Sequence, residues 1–411
     1  MAVTEPSKPC PSCGAPAPQV FYEAAGVPSS STVLLDNAAE AAAFPRGDIR
    51  LAHCRSCGFI FNAAFDPRLT EYSARYEETQ GFSPTFNRFQ RELAERLIDR
   101  HGLAGKTIVE IGCGKGEFLA LVSAMGGCHG VGFDPVFDPA RVDPETAARV
   151  TFVQDLFGEG NAGPPADCLC CKMTLEHIPD VGDFLAMVGR TIGPGRRPLL
   201  FFQVPDATPI LRHVEFWDVY YEHCSYFTPA TLARLFARSG FDVLDVWTGY
   251  GGQYLMIEAR PSAAPVPPPD PDAGLAALVA GFAAAAREAA AAWRRLFAGW
   301  SAAGERVVLW GSGSKAVSFL TTLGSAGAVE GVVDINPYRQ GRYMPGIDRP
   351  ILAPETLSAL KPDRVVVMNP VYVEEITAQL RAMGLGPAVV AATAMPAAPQ
   401  PQEATCAGHD R

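Results

Sequence analysis

Short apolar runs alternate with amphipathic stretches along two separate parts of the chain. In the first, TIVEIG (107–112), GVGFD (130–134), TFVQD (151–155), DCLCCKMT (167–174) and PLLFFQVPD (198–206) read as strands. GEFLALVSAMG and VGDFLAMVGRTIG between them have the period and terminal glycines of helices. TPATLARLFARSG (228–240) adds a helix with a capping Thr, and FDVLDVWT and QYLMIEAR form a strand pair around GYGG. Ahead of the first strand, RFQRELAERLID predicts an amphipathic helix with Phe89, Leu93, Leu97 and Ile98 on one face. The second part is smaller: RVVLWGSGSK, GVVDINP, PDRVVVMNP, a helix through EEITAQLRAMG, and AVVAATAM. Strand–helix alternation of this kind predicts doubly wound α/β layers.

Three regions lack that pattern. Residues 1–66 are rich in Cys, Pro and small residues and have little helical periodicity. PSAAPVPPPDPD (261–272) reads as a semi-rigid linker. It leads into an Ala-rich helix to about Trp300, on which Leu275, Leu278, Phe282, Ala289, Trp293 and Trp300 recur at helical spacing for packing against a neighbouring domain. The tail from Pro396 has a disordered composition. The expected organisation is an N-terminal module (1–66), a central α/β domain (67–260), the linker and helix (261–300), a C-terminal α/β domain (301–395) and the tail (396–411).

The 411 residues carry a net charge of −10 with no Lys/Arg-rich run, which argues against nucleic acid as partner. The most apolar long stretch, Leu275 to Trp300, is cut by Arg287, Glu288, Arg294 and Arg295, so no membrane span is expected. MAVTEPSKPC lacks the apolar core of a signal peptide, making a cytoplasmic, monomeric enzyme the default. In that compartment cysteines stay thiols or bind metal.

Four of the 11 cysteines form two pairs, Cys10-x-x-Cys13 and Cys54-x-x-Cys57, followed directly by Gly14 and Gly58. Two such turns can complete a tetrahedral four-sulfur site, the coordination Zn²⁺ favours. Four thiolates leave no open position, so the metal would be structural. His53 adjoins Cys54 and could compete as a ligand.

Glu110-Ile-Gly112-Cys-Gly114-Lys-Gly116 follows a strand and opens a helix. Its glycines allow close approach of backbone to ligand, and a dinucleotide is one alternative. The second strand ends in Asp134, placed for ribose hydroxyls, and the third in Asp155-Leu156-Phe157, suited to an adenine. With these features the chain resembles the class I S-adenosylmethionine-dependent methyltransferases. The resemblance implies donor contacts from Glu110, Gly112, Gly114, Gly116, Asp134, Asp155 and Leu156.

Tyr220, Tyr221, Glu222, His223 and Tyr226 crowd together just before the helix at 228–240. Methyl transfer to carbon needs a proton removed alpha to a carbonyl, and a His near its ordinary pKa can be the base. A tyrosine can donate to the enolate oxygen. Aromatic packing at a domain seam is the bland alternative. Paired CxxC motifs, the glycine loop, YYEHCSYF and the small C-terminal domain together resemble the zinc-containing sugar C-methyltransferases, which act on nucleotide-linked keto-deoxysugars. The resemblance covers almost the whole chain. It implies an active site of Tyr220, Glu222 and His223, with His223 as base, and an upstream tyrosine, Tyr76 or its rival Tyr72. It also implies a nucleotide-sugar substrate lying between the middle and C-terminal domains. Glu176-His177 in MTLEHIP makes His177 a rival base, and GSGSK (311–315) has the look of a phosphate-binding turn. The competing functions are an O- or N-methyltransferase on another small metabolite and a non-catalytic zinc-containing scaffold. The intact glycine loop and YxEH segment speak against the scaffold.

Overall fold

A computed structural model describes residues 8–394 apart from 71, 74, 143, 265–266, 270–271, 273 and 325. The tail expected to be disordered lies outside the described residues. The N-terminal region consists of β1 (Gln19–Pro28), α1 (Ala38–Ala43), β2 (Arg46–His53) and β3 (Ile60–Asn62). The central region begins with α2 (Pro84–His101) and continues β4 (Thr107–Ile111), α3 (Glu117–Gly126), β5 (His129–Phe133), α4 (Pro144–Ala147) and β6 (Val150–Val153). It goes on through β7 (Cys168–Lys172), α5 (Val181–Ile192), β8 (Leu199–Pro205), α6 (Ala207–Arg212), β9 (Ser225–Tyr226), α7 (Pro229–Arg238), β10 (Phe241–Gly249) and β11 (Tyr254–Pro261). The long α8 (Leu275–Ala302) precedes β12 (Val307–Trp310), α9 (Ser314–Leu323), β13 (Gly331–Val333), β14 (Ile351–Leu352) and α10 (Leu357–Leu360). The last elements are β15 (Arg364–Val367), α11 (Val373–Ala382) and β16 (Ala388–Ala391).

The central sheet has the order β10-β11-β8-β7-β4-β5-β6. Its strands are parallel except for the β10–β11 hairpin, which adds β11 antiparallel to β8. Strand order reverses at β4, so the glycine loop that follows β4 and the loop after β7 open at the switch point, the ligand crevice of such sheets. The C-terminal sheet, β14-β13-β12-β15-β16, is wholly parallel, with its own switch point at β12.

Two features of the packing bear on the site. The pair β9 does not join the central sheet. It is the last strand of the N-terminal sheet, pairing Ile60 with Tyr226 and Phe61 with Ser225. The YYEHCSY segment is therefore held by the cysteine-rich region. The second feature is α8, whose buried stripe is Leu275, Val279, Phe282, Ala286, Ala290, Trp293, Phe297 and Trp300. Leu278 and Ala289, expected on that face, only flank it. Small alanines hid the true line of contact, because an Ala fits a buried stripe as well as an exposed one. By length and composition α8 could cross a membrane. Its stripe instead joins the largest core cluster, which links the N-terminal sheet, the segment 207–226 and the C-terminal domain.

Candidate functional site

The four paired cysteines bring their sulfurs within 4.8 Å of one another. Cys10 Sγ lies 3.6 Å from Cys57 Sγ, and Cys13 Sγ 3.6 Å from Cys54 Sγ. Each pair sits on a tight turn closed by Gly14 N–H to the Cys10 carbonyl and Gly58 N–H to the Cys54 carbonyl, both 2.7 Å. The glycines have φ of +73° and +82°, which a side chain would strain. Hydrogen bonding from Cys10 lowers the Cys57 thiol to about 5, while burial raises Cys13 to about 11. Four cysteine sulfurs gathered this closely are a donor set that fits a tetrahedral cation such as Zn²⁺. His53 is not part of the cluster.

The loop after β4 requires its glycines for steric reasons within the protein. Gly112, Gly114 and Gly116 have φ of +67°, +54° and +78°. A Cβ would strike Thr174 at Gly112, Glu78 at Gly114 and Phe152 at Gly116. Glu110 is buried beneath the loop, pushed up to about 7 by burial against the pull of Lys172, and its Oε2 has no partner. Lys172 donates to Gln90 Oε1 at 2.8 Å and lies 3.6 Å over the Phe118 ring. Asp134 follows β5 as expected. Its Oδ2 accepts Gly114 N–H and its Oδ1 Val136 N–H, both at 2.9 Å, so it holds the loop. Asp155 and Leu156 stand exposed beyond β6, Leu156 at 70%. Asp155 accepts Leu156 N–H at 2.7 Å and the Asn161 amide at 3.2 Å.

The histidines meet across the loop after β7. His223 and His177 have ring centroids 4.9 Å apart and nearly perpendicular planes, and Tyr220 lies 4.2 Å from His223. Tyr72 is edge-on to His177 and stacks on Tyr76. Both upstream tyrosines thus reach the site, Tyr76 buried and Tyr72 half exposed. Burial pushes His177 down to about 4 and His223 well below its ordinary range; His177 and Lys315 lower His223 further. The expectation of an imidazole near its ordinary pKa is therefore corrected: enclosure keeps His223 neutral.

Glu222 is almost wholly buried. Its Oε1 accepts from Ser30 Oγ at 2.8 Å, and its Oε2 accepts Ser31 N–H at 2.8 Å and the Ser31 hydroxyl. With Tyr76 also bonding to it, Glu222 is an anchor for the segment. Tyr221 is structural too: its hydroxyl accepts Asp66 N–H at 2.8 Å. Glu176, which sequence reasoning mentioned only beside His177, places a carboxylate oxygen within 4.8 Å of ring nitrogens of His177 and His223. Both its oxygens lack a partner, and burial pushes it up to about 8. The positive φ of Met173, +50°, marks strain in the loop that carries it.

The GSGSK turn of the C-terminal domain uses part of its donors inside the protein. Ser312 N–H and hydroxyl both bond Asp334 Oδ2, and Lys315 pairs with Asp218 at 2.7 Å. That pair and two others, Gln253 to Asn369 (2.6 Å) and Tyr372 to Gln80 (2.7 Å), bridge the central and C-terminal domains.

A family model described as a methyltransferase domain matches residues 86–246, and one described as a C-methyltransferase C-terminal domain matches residues 272–390, a span that includes α8. The C-methyltransferase NovU of Streptomyces niveus is 27% identical over 304 residues, 70% of this chain and 72% of NovU. A ubiquinone biosynthesis O-methyltransferase of Aeromonas salmonicida is 28% identical over 161 residues, 35% of this chain and 66% of its own. Among solved structures, a 1,6-didemethyltoxoflavin-N1-methyltransferase of Burkholderia thailandensis with bound S-adenosylhomocysteine has a TM-score of 0.35 at 20% identity, covering 44% of this chain and 82% of its own. The chain is an S-adenosylmethionine-dependent methyltransferase. The two matched domains, and the relative that spans most of the chain, support a C-methyltransferase.

Proposed function

We propose that the chain transfers a methyl group to a carbon alpha to the ketone of a nucleotide-linked keto-deoxysugar, with His223 as the base. The observation that carries this reading is the buried, neutral His223 facing His177 and Tyr220, with Lys315 of the C-terminal domain near enough to act on it. The similarity to NovU supports carbon as the acceptor, since it extends over twice as much of this chain as the similarity to the O-methyltransferase.

In this reading S-adenosylmethionine, held over the glycine loop, supplies an electrophilic methyl group on a sulfonium. The protein supplies the carbanion equivalent. Neutral His223 accepts the alpha proton, and Tyr220 donates to the developing enolate oxygen, while Tyr76 spends its hydroxyl on Glu222 and helps to hold that carboxylate. The imidazolium forms where burial opposes charge, and the unpartnered Glu176 carboxyl, kept protonated by burial, can accept an imidazolium N–H through its carbonyl oxygen. Glu222, fixed by Ser30 and Ser31, holds the base in place. Zn²⁺ on Cys10, Cys13, Cys54 and Cys57 is structural. The working form is a cytoplasmic monomer.

The test is product analysis with donor labelled by ¹³C at the methyl group and a panel of nucleoside-diphosphate keto-deoxysugars. The expected label is on a ring carbon next to the ketone. Label on oxygen or nitrogen would replace this reading with the alternative.

A further inference from the structure

One acidic group beside the donor crevice has no part in the chemistry above. Glu78 lies in the segment YEETQ just ahead of α2. Its Oε1 stands 2.7 Å from where a Cβ on Gly114 would be, so the carboxylate lies against the second glycine of the loop. Its Oε2 is enclosed and has no hydrogen-bond partner. Lys115 offsets part of the burial, but its ammonium donates to the Tyr76 carbonyl at 3.0 Å. Glu77 and Asp134 add like charge. An enclosed carboxylate oxygen without a donor is costly unless the group takes up a proton or a cation with N–H groups arrives.

We propose that Glu78 is a ligand for the α-ammonium group of the methyl donor. This rests on the donor lying over the glycine loop. The donor has two cationic centres, and the chemistry selects between them. The sulfonium has no N–H to offer, and its charge disappears as the methyl leaves. A carboxylate against it would stabilise the ground state more than the transition state. The ammonium keeps its charge and three donors throughout, so a carboxylate can hold it without taxing the transfer. Burial pushes Glu78 up to about 7, and an ammonium beside it would draw the group to its charged form.

The test is calorimetry on the full chain with S-adenosylhomocysteine, which keeps the ammonium and lacks the sulfonium, and with 5′-S-(3-carboxypropyl)-5′-thioadenosine, which lacks the amino group. Wild type should bind the second about tenfold to a hundredfold more weakly, the loss expected for a charged hydrogen bond. Glu78→Gln should weaken S-adenosylhomocysteine by a similar factor and leave the amino-free compound unchanged. Equal wild-type affinities for the two compounds would overturn the proposal without any variant. Equal losses for both compounds in Glu78→Gln would also overturn it, making Glu78 a support of the loop. A loss confined to S-adenosylmethionine would place the carboxylate at the sulfonium and overturn it too. Asp134→Ala separates the premise from the proposal. If it weakens S-adenosylhomocysteine and Glu78→Gln does not, Glu78 is wrong and the donor site stands; if neither variant weakens it, the donor site itself is misplaced.

Discussion

At the residue scale, His223 and His177 are distinguished by their neighbours more than by their chemistry. Both are neutral from burial, and their rings touch. Tyr220 packs on His223 alone, whereas Tyr72 contacts His177. His223→Ala should lower turnover by about 10²–10⁴-fold, the usual cost of a lost general base, with donor binding intact. His177→Ala should cost less. Steady-state rates with calorimetric donor affinities check both, and the reverse order would move the base to His177. Glu176 gives a prediction about stability. Its folded pKa of about 8 lies above the ordinary 4.5, so between those values the unfolded chain binds fewer protons and stability falls as pH rises. Glu176→Gln removes that slope. Melting curves should show the variant gaining on wild type from pH 5 to pH 8, and a constant difference would refute the buried-acid assignment.

At the element scale, the cysteine turns and the catalytic segment form one unit. Cys10, Cys54 and Cys57 are buried in a cluster with Phe59, Phe61 and Phe227, and β3 pairs directly with β9, two residues beyond His223. Metal in such a module is coupled to folding. Cys54→Ser should therefore lose zinc and solubility together. In whatever protein remains soluble, turnover should fall further than donor affinity, because the donor loop belongs to the central sheet. Well under one zinc per chain in purified wild type would sink the structural-metal assignment. The same elements show what sequence could reveal. The parallel strands were legible because buried strands are continuous apolar runs, and the glycine loop because its φ values admit little else. The serine anchor of Glu222 was not. Ser30 and Ser31 lie 192 and 191 positions away, in a run that reads as loop. Glu78 and the isolation of Glu176 were hidden for the same reason: a carboxylate's lack of partners is a property of the folded enclosure.

At the scale of the whole molecule, three sheets are tied together by direct contacts. The central sheet carries the donor loop, the N-terminal sheet holds the histidine segment through β9, and the C-terminal domain joins them through Lys315–Asp218 and Gln253–Asn369. Joining a donor half to a base half in this way suits a reaction that must remove a proton before it can transfer a methyl group. Proton removal needs no donor, and that separates the two halves experimentally. The most direct measurement is solvent-deuterium exchange into nucleoside-diphosphate keto-deoxysugars in D₂O without methyl donor, followed by proton NMR and mass spectrometry. Wild type should exchange the proton alpha to the ketone, and His223→Ala should lose that exchange in parallel with turnover. Exchange that persists in His223→Ala, or methyl transfer by wild type onto a substrate whose alpha proton never exchanges, would contradict the account.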